Sequence, residues 1–169
     1  MRNLLFLTIT IPALVWADAP GTESGWQIET VEDSSGFGSA ETLYQDSSKG
    51  ISDEAATGEV TPRLEFRCTS GDETVIARIN WNRFISSFST EVGIKVDGGR
   101  FMWLKWKMDQ SEQTTVSPSA SDSQNLIDAL SVGSGLLVEV SPYSMGPETA
   151  EFDLTGFADS LAALTARCQ

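Results

Sequence analysis

The sequence predicts a mainly β (α+β) fold: an antiparallel, β-sandwich-like domain of about seven or eight strands with two short helices, the C-terminal one tethered to the sheet by a disulfide. Three observations predict it. Beyond Thr61 apolar and polar residues alternate with the two-residue period of half-buried strands. Asp97-Gly98-Gly99 separates two such alternating runs, the pattern of a hairpin. Cys68 and Cys168 both fall on the apolar side of the element that carries them.

The chain opens with "MRNLLFLTITIPALVWADA": one positive charge at Arg2, an apolar run from Leu4 to Trp16 and small residues around Ala17. That is the layout of a secretory signal peptide, with an apolar run too short to span a bilayer. Val15 and Ala17 suit the −3 and −1 sites, so residues 1–17 are read as the signal, with cleavage after Ala17. Cutting after Ala19 would leave Pro20 first. No cysteine follows the run to accept a lipid, so a soluble periplasmic or secreted protein is expected, without stable membrane insertion after processing.

The formal net charge is −13, and losing Arg2 with the signal makes it more negative still. Such a charge repels phosphate backbones and anionic membranes, which excludes nucleic acid as an expected partner. Residues 18–60 form an acidic Gly/Ser-rich leader in which "WQIET" and "ETLYQ" look like one or two edge strands, and residues 61–169 form the main β-rich domain.

Within that domain, "RLEFRC" puts Leu64, Phe66 and Cys68 on one side, and "TVIARINW" puts Val75, Ala77, Ile79 and Trp81 on one side. Gly71-Asp72 marks the turn between them. In "EVGIKVDGGRFMWLKWKM" a Gly98-Gly99 loop would pair Asp97 with Arg100, Val96 with Phe101 and Ile94 with Trp103. Looping at Asp97-Gly98 instead sets Lys95 against Arg100, a like-charge pair, so the first register is preferred. In "SDSQNLIDALSVG", Ser121 and Gln124 have the form of a capping box, Leu126, Ile127 and Leu130 form the apolar side, and Gly133 ends the helix. "LLVEVSPY" and "TAEFDL" read as two further strands. In the last helix Phe157, Leu161, Leu164 and Cys168 lie on one stripe.

The two cysteines lie 100 residues apart in an expected oxidising compartment, so a Cys68–Cys168 disulfide is the leading reading. In the chain-entropy model closing such a loop raises the unfolded state by about 4.7 kcal/mol. A zinc site would need two carboxylates as well, because the chain has no His and no third Cys.

The absence of His also removes the usual general base and every Ser-His-Asp or Cys-His arrangement. Ser134 stands between glycines, but between a helix and a strand, whereas a nucleophile elbow runs from strand to helix. Glu151 and Asp153 are two apart on the outward face of a strand and are most simply solvated. No catalytic set, metal site or cofactor is expected.

The remaining constellation is "DGGRFMWLKWKMD", which gathers aromatic residues and Arg100, Lys105 and Lys107, with Lys95 just upstream. Both faces of its strand carry large apolar groups, Phe101 and Trp103 on one, Met102, Leu104, Trp106 and Met108 on the other. A strand covered on both sides accounts for this. An exposed ladder would instead engage a partner, with Arg100, Trp103, Lys105, Trp106 and Lys107 as the binding residues. Phe101 and Trp103 are expected in the core, which leaves the exposure of Trp106 open.

Several blocks carry a family resemblance: "PRLEFRC", "ARINWNRF", "WKMDQS", "LLVEVSPY", "TAEFDLTGF" and the closing "ARC". Together they resemble the VasI/TagO family of exported proteins associated with type VI secretion loci, over roughly Trp26 to Cys168. The resemblance implies a periplasmic accessory protein with a mainly β domain and paired cysteines at Cys68 and Cys168, and it transfers no catalytic residues. Residues between Val31 and Val60 depart most from the family pattern. The expectation is therefore a non-enzymatic accessory or protein-binding module acting on an envelope protein. The alternatives are a periplasmic cell-wall hydrolase or an inhibitor of one, and a small-ligand binder using the Trp-rich hairpin.

Overall fold

The computed structural model describes residues 25–32, 39–53 and 58–169. The signal segment and its cleavage site lie outside the described residues. The elements run β1 (Gln27–Glu32), β2 (Ser39–Asp46), β3 (Ile51–Asp53), β4 (Gly58–Val60), β5 (Arg63–Thr69), β6 (Asp72–Asn80), β7 (Ser89–Val96), β8 (Met102–Met108), β9 (Thr114–Val116), α1 (Ala120–Ser131), β10 (Gly135–Val140), β11 (Glu148–Asp153) and α2 (Phe157–Cys168). Nine strands form one antiparallel sheet in the order β1-β2-β5-β6-β9-β8-β7-β10-β11, and β3-β4 form a separate pair. The sheet thus has more strands than the seven or eight expected. Part of the difference is the acidic segment, whose β2 pairs with both β1 and β5.

The sheet curls until its two ends meet. Just after β2, the Ser48 N–H donates to the Glu151 carbonyl of β11 at 2.9 Å, and the Ser47 hydroxyl accepts from the Glu151 N–H at 3.0 Å. Curling leaves one apolar interior, in which Phe66, Trp81, Trp106, Leu130, Phe157 and Leu164 are almost fully buried. Burial follows the alternation in the sequence: in β5 Leu64, Phe66 and Cys68 are inside, and in β6 Ala77 and Ile79 are, with Val75 partly so.

Both helices close this interior. In α1, Leu126, Ile127 and Leu130 are buried as expected, but the cap is Ser119, whose hydroxyl accepts from the Asp122 N–H at 3.1 Å. The helix therefore starts before Ser121, which cannot serve as its cap. Helix α2 buries Phe157, Leu164 and Cys168 and keeps Leu161 half-buried, the stripe read from the sequence. Phe157 packs against Trp26 and Phe66 with both ring-centroid distances 4.9 Å. The Cys68–Cys168 disulfide, with Cα atoms 6.0 Å apart, ties the end of α2 to β5. The Gly71 N–H of the β5–β6 turn adds a 2.8 Å hydrogen bond to the Cys168 carbonyl.

The β7–β8 hairpin differs from expectation in register. Asp97 and Gly98 both have positive φ, 49° and 70°, and the Gly99 N–H donates to the Val96 carbonyl at 2.9 Å. This is a two-residue turn of the mirror-image kind, whose twist matches the flanking strands. Its register would oppose Lys95 and Arg100, but the returning strand holds one extra residue, so the ladder settles at Ile94↔Met102, Gly93↔Trp103 and Val92↔Leu104. The like-charge clash that argued against this turn is avoided by the extra residue. Shifting a ladder by one residue exchanges the two faces of a strand. Trp106 is therefore inside, 1% exposed, while Trp103 lies outside at 48%, and the expected burial of Phe101 and Trp103 beside Val92 and Ile94 is corrected.

Replacing Cys68 or Cys168 by Ser should lower stability to urea by roughly 2–5 kcal/mol, the usual result of losing a native disulfide in a small exported domain. The check is the urea midpoint with and without reductant. Wild type should lose stability on reduction while Cys168→Ser ignores it; a wild-type midpoint unmoved by a reductant that has opened the bond would refute the tether.

Candidate functional site

Residues directly opposite in an antiparallel ladder share a face, so the outer surface of β7 and β8 is set by the register. It carries Glu91, Gly93 and Lys95 on β7 and Trp103, Lys105 and Lys107 on β8, with Glu139 of β10 opposite Gly93. Gly93 has a specific reason to be glycine. A Cβ there would lie 2.9 Å from two carbons of the Trp103 ring and 3.1 Å from Phe101, so the bare backbone is what lets both rings lie down on the sheet. The rings stack with centroids 5.6 Å apart and planes 28° from parallel. Lys95 Nζ sits 5.4 Å from the Phe101 ring centre, within cation–π range.

Glu91 lies across the ladder from Lys105, but the cations around these rings make no close ion pair among the described residues. Arg63 pairs with Asp46 and Glu29, Arg78 with Glu65 and Asp109, and Arg167 with Glu41. Lys95, Arg100, Lys105 and Lys107 have no carboxylate at ion-pair distance among the described residues. Arg100 is exposed beside the hairpin turn, and Lys105 and Lys107 are exposed on β8. Trp106, grouped with them in the sequence reading, is enclosed in the core, where its indole N–H has no hydrogen-bond partner among the described residues. It cannot touch a partner molecule and is withdrawn from the binding face. Gly93 is the residue that reading overlooked; a glycine inside an otherwise β-branched run was the available signal of a close approach.

A shallow groove of about 640 Å³ lies across β10, beyond Lys95, and is bordered by Ser48, Asp97, Ser134, Glu151 and Asp153. Its two aspartates are already engaged. Asp97 Oδ1 accepts from the Ser134 N–H, the Ser134 hydroxyl and the Gly135 N–H at 2.8, 2.8 and 2.9 Å, and these bonds hold its pKa below the ordinary carboxylate value. Asp153 accepts from the Thr155 N–H at 2.9 Å and is lowered likewise. A carboxyl acting as general acid must be held protonated, the opposite direction. The Ser134 hydroxyl is spent on Asp97, so Ser134 belongs to the loop between α1 and β10.

Two measurements check this geometry. Of the four described tryptophans only Trp103 is substantially exposed, so Trp103→Phe should remove the acrylamide-quenchable part of the fluorescence. If quenching were unchanged, the register would be wrong. For Asp97→Asn, which keeps the tolerance for positive φ and removes the charge, the sign follows from linkage. A lowered native pKa gives stability that is full above the unfolded value, about 3.9, and is lost as pH falls through the native one. Wild type should therefore melt above Asp97→Asn at neutral pH, and the gap should close in acid; a gap that widened in acid would contradict the assignment.

No protein-family model matches the chain, and no curated protein matches its sequence. Among solved structures, the chain is similar to the crystal structure of invasion associated protein B from Bartonella henselae, with a TM-score of 0.52 and 12% identity over 85% of this chain and 93% of that one. At that identity the likeness extends to the fold alone.

Proposed function

We propose that the chain is an exported, non-enzymatic binding module of the cell envelope, which engages a protein partner through the outer face of β7 and β8. The observation that carries this reading is a convergence: in a chain of net charge −13, three lysines without carboxylate partners surround a stacked, part-exposed Phe101–Trp103 pair. Tryptophan and cationic groups on a rigid surface are the typical anchors of protein interfaces. The Cys68–Cys168 bond suits an oxidising compartment such as the periplasm. A role beside a type VI secretion system is the narrower form of the proposal and rests on the sequence resemblance.

The competing reading, a cell-wall hydrolase or an inhibitor of one, would place its work in the groove at Glu151 and Asp153. Incubation of the processed protein with peptidoglycan separates the two. Neither fragment release nor protection from lysozyme is expected, and either would overturn the binding-module reading. In the positive arm, a photo-crosslinking residue at position 89, across the ladder from Lys107 on the same face, should give one defined protein adduct in living cells that disappears with Trp103→Ala. The same probe at Asp128, exposed on α1, should give none. Equal labelling from both positions would count against the face.

A further inference from the structure

Strand β8 has main-chain groups to spare. The Met108 N–H donates to the Phe88 carbonyl at 2.9 Å, so Met108, Trp106 and Leu104 turn their backbone groups toward β7. Their neighbours turn the other way, as the Asp109 N–H does in donating to the Thr114 carbonyl at 2.9 Å beside β9. Strand β9 ends at Val116, opposite Lys107. Beyond it the Ser117 N–H bonds Ala77 of β6 at 3.0 Å, and Pro118 has no N–H to offer. The backbone N–H and C=O groups of Trp103 and Lys105 are therefore left without a partner on this edge, among the described residues. Helix α1 packs on β6, and the edge stays open: Met102 is 50% exposed, Trp103 48%, and Lys105 is exposed too.

We propose that this edge receives an extended acidic peptide, which adds to β8 as a strand in the space where β9 stops. The proposal rests on the binding-face reading and names the partner class. Two observations select the occupant. The unmatched donor and acceptor pairs of Trp103 and Lys105 are what a strand backbone satisfies at its own two-residue repeat, a spacing that the hydroxyls of an anionic glycan do not reproduce. Lys105 stands at the open edge and Lys107 faces Val116 one step beyond it, so a carboxylate of the added strand opposite Lys105 lies directly beside one lysine and diagonally from the other. A second copy added at the same edge would offer Trp103 and Lys105 and no carboxylate, so Lys105 would gain no opposite charge from it.

The test uses the processed, disulfide-bonded protein and a short peptide of alternating Val and Glu, with amide protection followed by NMR. In the free protein the Leu104 and Trp106 amides should be protected and those of Trp103 and Lys105 should exchange rapidly. Adding the peptide should protect Trp103 and Lys105. Lys105→Gln, which removes the charge without setting a second carboxylate against Glu91 across the ladder, should weaken binding about tenfold, and N-methylating alternate residues of the peptide should do the same by removing its strand hydrogen bonds. Equal binding of the N-methylated peptide, or dextran sulfate bound at the lysines without new amide protection, would overturn strand addition and leave the binding face standing. Concentration-dependent protection without peptide would make a second copy the occupant and overturn the acidic-peptide assignment. No peptide binding, with position 89 still crosslinking in cells, would reject the partner class but not the face.

Discussion

The register of the β7–β8 hairpin is the constraint on which the candidate site depends. It is set by a turn with positive φ at Asp97 and Gly98 and one extra residue on the returning strand. Asp97 holds that turn from two directions. Its N–H donates to the Gly135 carbonyl at 2.9 Å, and its carboxylate takes three hydrogen bonds from Ser134 and Gly135. One residue of slippage would bury the Trp103 face and turn Trp106 out, exchanging a bulky core side chain for a surface one. The three-bond anchor therefore decides which tryptophan reaches the surface.

Closure of the sheet supplies the rigidity such a surface needs. The Ser47 and Ser48 contacts with Glu151 join the two ends of the curl, and the disulfide fixes α2 across β5. These restraints act on parts of the chain 104 and 100 residues apart. Each hydrogen bond contributes about 1 kcal/mol net, while the disulfide acts mainly by restricting the unfolded chain, so the two are complementary. With the interior filled from both helices, the outer face of β7 and β8 is displayed by packed strands, and aromatic groups held this way lose little entropy when a partner settles on them.

How far the sequence reveals this depends on how unequal the alternatives are. In β5 and α2 only one face is apolar, so the inward positions of Leu64, Phe66, Cys68, Phe157 and Leu164 follow from period alone, and the disulfide follows from where the two cysteines point. In β8 both faces carry large apolar groups, and period cannot choose between Trp103 and Trp106. The choice then falls to the turn, where a strict two-residue loop at Asp97-Gly98 sets Lys95 against Arg100. A bulge removes that clash, and its mark in a single sequence is a glycine, which beside Asp97-Gly98-Gly99 reads equally well as part of the turn. Ser119 and Ser121 posed the same problem on a smaller scale, since either serine has a polar residue three positions on. Gly93 was legible in principle, because glycine weakens a strand interior unless another group needs the space.

Charge explains why so small a patch can be selective. Over the whole chain the field is negative and repels an acidic partner, but at physiological salt it is screened within about 8 Å. Inside that distance local groups dominate. Arg63, Arg78 and Arg167 are spent in ion pairs, and Arg83 turns its guanidinium to the Ser52 and Phe84 carbonyls, whereas the β8 lysines have no such partner among the described residues. An acidic strand is then attracted where Lys105 stands at open backbone with Lys107 one step beyond, and it is repelled over much of the remaining surface. The acidic composition thus works as discrimination by repulsion, and the lysines without ion-pair partners supply attraction at the edge left open by the short β9.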